Sequence, residues 1–253
     1  EAVCSAQVLP RKELFETWEA ARRIDDAFPH AERVADLAAG HGLLGWLILL
    51  LAVEAGRPRT SVCVDIRMPA SADTLAEAMT RRFPALAGKM SYVEGGLQRV
   101  ETSPEVLITS VHACGPLTDA VLQRAVSGGA PVAVMPCCHS LRKQPLPPQP
   151  GLTPEALAAA AEKLGISRAI DDARVGALQA AGGPGEFDGR IAWRHCRPWA
   201  NLQVGRNREE TELDHLQKGR EREDVKFSGH GRCPDLRATV RRIAHSLPKV
   251  RLG

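Results

Sequence analysis

Two short segments concentrate the side chains best suited to chemistry: Ser110-Val111-His112-Ala113-Cys114-Gly115-Pro116-Leu117-Thr118-Asp119 and Met135-Pro136-Cys137-Cys138-His139. Imidazoles, thiols and a carboxylate at this density admit three chemistries. His112 or His139, neutral near pH 7, can take a proton from an attacking hydroxyl or amine. Cys114 or Cys137 can act as a thiolate nucleophile. Together His112, Cys114, Cys137, Cys138 and His139 offer soft ligands to an ion such as zinc, although His-x-Cys and Cys-Cys-His are tighter than the usual loop spacing of such sites. The expectation is direct action by a histidine and no metal, with His112, Cys114, Asp119, Cys137, Cys138 and His139 as the catalytic candidates.

A second constellation lies earlier in the chain. Val34-Ala35-Asp36-Leu37-Ala38-Ala39-Gly40-His41-Gly42 puts an acid at the end of an apolar stretch, followed by small residues and then an apolar run. Small residues let the backbone turn sharply and approach a ligand, and a helix start beyond them presents free N–H groups. Downstream, Val62-Cys63-Val64 ends on Asp65, a carboxylate placed to accept the ribose hydroxyls of an adenosine moiety. Gly40-His41-Gly42-Leu43-Leu44-Gly45 also satisfies the dinucleotide fingerprint of nicotinamide-binding proteins, so that alternative stays open at this point.

The elements that must position these residues follow from periodicity. Leu14, Phe15, Trp18, Ala21, Ile24 and Phe28 recur at threes and fours, the stripe of an amphipathic helix over 12–28. Strands are expected at 33–37, 61–65, 90–94, 106–111 and 132–136, with helices from about 42, at 71–83 and at 116–127. This alternation predicts an α/β fold, a doubly wound and mostly parallel sheet with helices on both faces, an N-terminal helix and a C-terminal extension. Adjacent parallel strands would bring the two reactive segments to one edge of a cleft. Pro145, Pro147, Pro148, Pro150 and Pro154 then mark a linker or flap over 142–154, and helices are expected from the Thr153 cap to Leu164 and over 171–181. Residues 191–193 and 202–204 are weaker strand candidates.

Asp36, Ala38, Gly40, Gly42 and Asp65 together resemble motif I and the following acidic position of class I S-adenosylmethionine-dependent methyltransferases. The family pattern is acidic-x-Gly-x-Gly-x-Gly, and Ala38 stands here for the first glycine. The resemblance implies S-adenosyl-L-methionine as cofactor, with Asp36 toward its amino-acid end, Asp65 on the ribose, and Glu94 near the adenine, where Gly96 occupies the usual Asp position. His112, at the cleft edge, is counted among the cofactor contacts as well. His-Ala-Cys-Gly-x-x-Thr-Asp followed by Pro-Cys-Cys-His resembles a narrower group. It contains eukaryotic enzymes that methylate the ribose at position four of tRNA acceptor stems and bacterial relatives of unassigned substrate. The opening Leu9-Pro10-Arg11-Lys12-Glu13-Leu14-Phe15 and Ala169-Ile170-Asp171 also look like those relatives, so the resemblance spans about residues 8–182. It implies an RNA acceptor, tRNA or rRNA. One cysteine after strand four and one after strand five is also the arrangement of RNA cytosine C5 methyltransferases, which keeps covalent catalysis by Cys114 or Cys137 open. A noncatalytic scaffold that binds S-adenosyl-L-methionine or a metal is a further open alternative.

Bulk properties bound the rest. The longest apolar run, Leu43–Val53, is 11 residues, against the roughly 20 that a bilayer helix needs. No membrane association is expected. Seven cysteines without framework spacing, and no signal-peptide pattern, point to a reducing, cytoplasmic setting. Residues 201–253 carry 12 Lys+Arg against 8 Asp+Glu, whereas residues 1–200 carry 21 against 22, so the basic excess is confined to the tail. The expected organisation is an N-terminal helical element over 1–30, a cofactor-binding domain over 31–205, and a charged, basic extension over 206–253.

Overall fold

In the computed structural model, residues 2–6, 8–143 and 152–181 are described. A short helix, α1 (Ala2–Ala6), precedes α2 (Arg11–Ala27), and the chain then alternates β1 (Arg33–Leu37), α3 (Leu43–Glu54), β2 (Thr60–Asp65), α4 (Ala70–Arg82), β3 (Met90–Glu94), β4 (Val106–Val111), α5 (Pro116–Gly128) and β5 (Val132–Met135). Two further helices, α6 (Pro154–Leu164) and α7 (Ile166–Ala181), close the described part. Thr153 caps α6 as expected, its hydroxyl accepting the Ala156 N–H at 3.1 Å.

The five strands form one parallel sheet in the order β3-β2-β1-β4-β5. The order reverses between β1 and β4, and the crevice beyond their carboxyl ends is where open α/β sheets bind ligands. Alternation along the strands separates two cores. Val34 and Leu107 face α2, α3 and α4, while Ala35, Leu37, Val106 and Ile108 face α5 and α7. Helix α3 is apolar nearly all round because it is enclosed between the sheet and α2.

The position of α2 is fixed at its far end. Asp25 accepts from Arg57 and Arg59, and buried Arg59 also donates to the carbonyls of Phe28 and Ala31. The helix is thereby tied to the start of β2, and its first turns reach forward over the crevice. Strand candidates 191–193 and 202–204 and the extension from 206 lie outside the described residues, as does most of the proline-rich segment.

Gly45, the third glycine of the fingerprint spacing, has a packing role. A Cβ there would stand 2.8 Å from Cys63 Sγ and 2.9 Å from Ser61 Oγ, so only glycine lets α3 lie this close to β2. Gly45→Ala should therefore lower stability by about 1–3 kcal/mol, the usual cost of overpacking a filled core. A denaturant midpoint shift at constant slope would measure it, and an unchanged midpoint would mean that α3 moves away freely.

Candidate active site

The end of β1 builds the first half of the site. The Asp36 side chain is 1 % exposed, its Oδ1 lies 3.5 Å from the Thr109 hydroxyl, and its Oδ2 has no hydrogen-bond partner. Burial pushes its carboxyl up to about 7, against the pull of the Gly45 backbone N–H and the Thr109 hydroxyl. The chain then turns through Ala38 at φ 55 before Gly40 and Gly42 open α3. A left-handed non-glycine residue costs on the order of 1–2 kcal/mol, which Ala38 incurs where the family pattern has glycine.

Asp65, at the tip of β2, holds this turn from the neighbouring strand. It accepts the Gly40 N–H at 2.8 Å through Oδ2 and the Ile66 N–H at 2.7 Å through Oδ1. Tyr92 donates its phenol to the Gly40 carbonyl at 2.6 Å, and the His41 Nδ1 lies 2.5 Å from the Ser71 hydroxyl. Glu94, exposed at the end of β3, accepts the Met68 N–H at 3.0 Å and so steadies the loop after β2.

The second half comes from β4 and β5. The Ser110 hydroxyl donates to the Leu37 carbonyl at 2.6 Å, and the His112 N–H donates to the Met135 carbonyl at 3.0 Å, joining three strand ends. His112 is itself left-handed at φ 64. Its Nε2 is buried without a hydrogen bond, 3.6 Å from the Glu16 carboxylate of α2. Asp36, Ala38, Gly40 and His112 meet on one pocket of about 270 Å³, roofed by Glu13 and Thr17 of α2. Asp65 and Glu94 stand outside it along the same sheet edge.

The remaining candidates part company. Cys114, Cys137 and Cys138 are exposed free thiols gathered beside His112. Burial raises the Cys137 thiol, and the adjacent Cys114 raises it further. Cys138 is lowered by the hydrogen bonds of Cys114 and Cys137. Cys4, by contrast, is disulfide-bonded, which runs against the expectation of a reducing setting. His139 and Asp119 belong to an ionic network instead. His139 Nε2 lies 2.8 Å from Asp171 Oδ1, and fully buried Arg174 donates to Asp119 at 2.8 Å, to Asp171 at 3.3 Å and to the Gly115 carbonyl at 3.0 Å. These two residues tie the first turn of α5 and the β5 loop to α7.

Sequence reasoning missed Glu13, Glu16 and Thr17, and it missed Arg174. The first three share one side of α2 by their three- and four-residue spacing, a polar strip beside the apolar one that was legible but had no assigned partner. Arg174 stands three residues after Asp171 in an otherwise apolar stripe, the pattern of a buried ion pair.

A doubly wound parallel sheet with an acid-and-glycine turn at its switch point is consistent with a class I methyltransferase. A family model described as a methyltransferase domain matches residues 13–144, slightly more than half of the 253 residues. The chain belongs to this family of methyltransferase domains, and the nicotinamide alternative falls with that finding. No curated protein matches the chain.

Because its folded carboxyl is raised, Asp36 costs stability progressively as pH rises from its unfolded value through about 7, and the full cost persists above that. Asp36→Asn should raise the unliganded melting temperature at pH 8 and leave it little changed at pH 4. An equal shift at both pH values would mean that the Asp36 carboxyl titrates alike in the folded and unfolded chain.

Proposed function

We propose that the chain transfers the methyl group of S-adenosyl-L-methionine directly to a hydroxyl or amine of an RNA acceptor, with His112 as general base. The carrying observation is the pair of buried polar atoms without partners, Asp36 Oδ2 and His112 Nε2, both belonging to residues that line one pocket. Buried polar atoms are satisfied in nearly all native sites, so two such atoms at a pocket fit a polar ligand. When bound, S-adenosyl-L-methionine supplies a methyl group activated by its sulfonium.

The donor would be held along the sheet edge. Asp36 suits the ammonium of the amino-acid end, whose charge favours the ionised carboxylate. Asp65, with lone pairs remaining beyond its two backbone N–H partners, suits the ribose hydroxyls, and Glu94 suits the adenine amino group. His112 takes the acceptor's proton, and the Glu16 carboxylate favours the imidazolium that results. His139, bound to Asp171, acts as a positioning residue for the β5 loop. The RNA acceptor is supported by the resemblance of the His112–Asp119 and Pro136–His139 motifs to tRNA methyltransferases, and by the basic excess of residues 201–253.

Three measurements test the reading. Calorimetry should show binding of S-adenosyl-L-methionine or its demethylated product and none of NAD; the reverse would overturn it. With a labelled methyl donor offered to total RNA, protein extract and a small-molecule pool, label should enter RNA. His112→Ala should then depress turnover by about 10²–10⁴-fold with donor affinity little changed. An adduct between 5-fluorocytosine RNA and Cys114 or Cys137 would replace the direct mechanism with a covalent one.

Removing residues 206–253 should leave donor affinity intact and weaken RNA binding, with a shallower salt dependence than the full chain shows. Unchanged RNA affinity would remove any electrostatic role from the tail.

A further inference from the structure

The methyl-transfer reading leaves three side chains without a task. Cys114 and Cys137 hold their Sγ atoms 2.7 Å apart, Cys137 and Cys138 hold theirs 3.5 Å apart, and all three sulfurs lie within 4.8 Å of one another. We propose that Cys114, Cys137 and Cys138 form a binding site for a thiophilic metal ion, zinc, which clasps the loop after β4 to the loop after β5.

The tight sequence spacing that argues against a metal does not apply once the fold is seen. The ligands come from two adjacent strands rather than from one loop: Val111 pairs with Met135, so the residues just beyond them emerge side by side. Cys114 from one loop faces Cys137 and Cys138 from the other, and the Cys137 Sγ also lies 3.9 Å from the His112 carbonyl. Exposure leaves the cluster open to an ion from solvent.

Geometry separates a metal from the simpler fate of two neighbouring thiols. A disulfide would require the Cys114 and Cys137 sulfurs to close to roughly 2.05 Å and would leave Cys138 idle. It would also need an oxidant to take two electrons. Zinc with Zn–S bonds of roughly 2.3 Å sets tetrahedral sulfur edges near 3.8 Å, so the closest pair must open while the Cys137–Cys138 pair barely moves. All three thiols are then used and no electrons move: three S–H bonds break, three Zn–S bonds form, and three protons leave to solvent. Thiolates and imidazoles are the protein groups that suit zinc. His139 is committed to Asp171, and among the described residues the cluster comprises only the three sulfurs, which leaves the fourth position to water or an acceptor atom. The proposal rests on thiol geometry alone and stands or falls independently of methyl transfer.

The test uses the full chain, reduced and stripped with a chelator, then titrated with Zn²⁺ alone. One equivalent should remain after desalting, and alkylation mapped by mass spectrometry should show Cys114, Cys137 and Cys138 protected together. Cys137→Ser should lose retention, whereas Cys63→Ser should keep it; circular dichroism confirms that each variant is folded. The alkylation map needs no variant, so it decides the matter even if Cys137→Ser unfolds. Retention below about a tenth of an equivalent, or alkylation of the three thiols unaffected by zinc, would overturn the proposal. So would a product two hydrogens lighter, with Cys114 bonded to Cys137 and no zinc uptake.

Discussion

A carboxylate at the end of a buried parallel strand loses its water without gaining a full set of protein donors, and Asp36 is in that position. One oxygen has the Thr109 hydroxyl at the limit of hydrogen-bond reach and the other makes no hydrogen bond, although the Gly45 N–H still favours the ionised carboxyl. The surrounding structure is arranged to keep it so. Gly45 lets the first turn of α3 come close, Ala38 bends the backbone away in the left-handed region, and α2 lies over the opening. Each of these costs stability or restricts sequence, and the cost is understandable where a cationic ligand group completes the set.

The sheet divides the work by strand. The tips of β1, β2 and β3 carry the acidic residues and the glycine turn suited to an adenosine-bearing donor, and the tips of β4 and β5 carry the imidazole and thiols. The reversal of strand order between β1 and β4 is what sets these two groups side by side. The only two non-glycine residues with positive φ among those described, Ala38 and His112, stand on either side of that boundary. Backbone strain of this kind collects at functional sites because a rigid sheet on both sides holds it in place.

Much of the fold was legible because each signal was local. Strands 33–37, 90–94 and 106–111 begin and end where alternation and apolar content put them, and α2, α4 and α5 fall within a residue of their expected bounds. The short α1 carried no periodicity long enough to read. At the site, Asp36, Ala38, Gly40 and His112 were legible because strand ends mark them, and they do share a pocket. Spacing could not show which way a side chain turns after the strand ends. His112 and His139 look equivalent in sequence, yet one faces Glu16 beside the cleft and the other binds Asp171 in α7. Nor could spacing along one loop reveal a cluster assembled from two, such as the three sulfurs of Cys114, Cys137 and Cys138.

Arg174 has a consequence for what counts as one unit of this protein. The recognisable methyltransferase signature ends at residue 144, but the guanidinium that neutralises Asp119 and satisfies the Gly115 carbonyl comes from a helix some thirty residues further on. Its side chain is wholly enclosed, so the charge it supplies cannot be replaced by water. The matched segment and the packed body therefore have different edges. Losing the segment after residue 144 would take this enclosed guanidinium away from Asp119 and the Gly115 carbonyl, so α7 belongs to the same physical unit as the reactive segment despite lying outside the matched boundary.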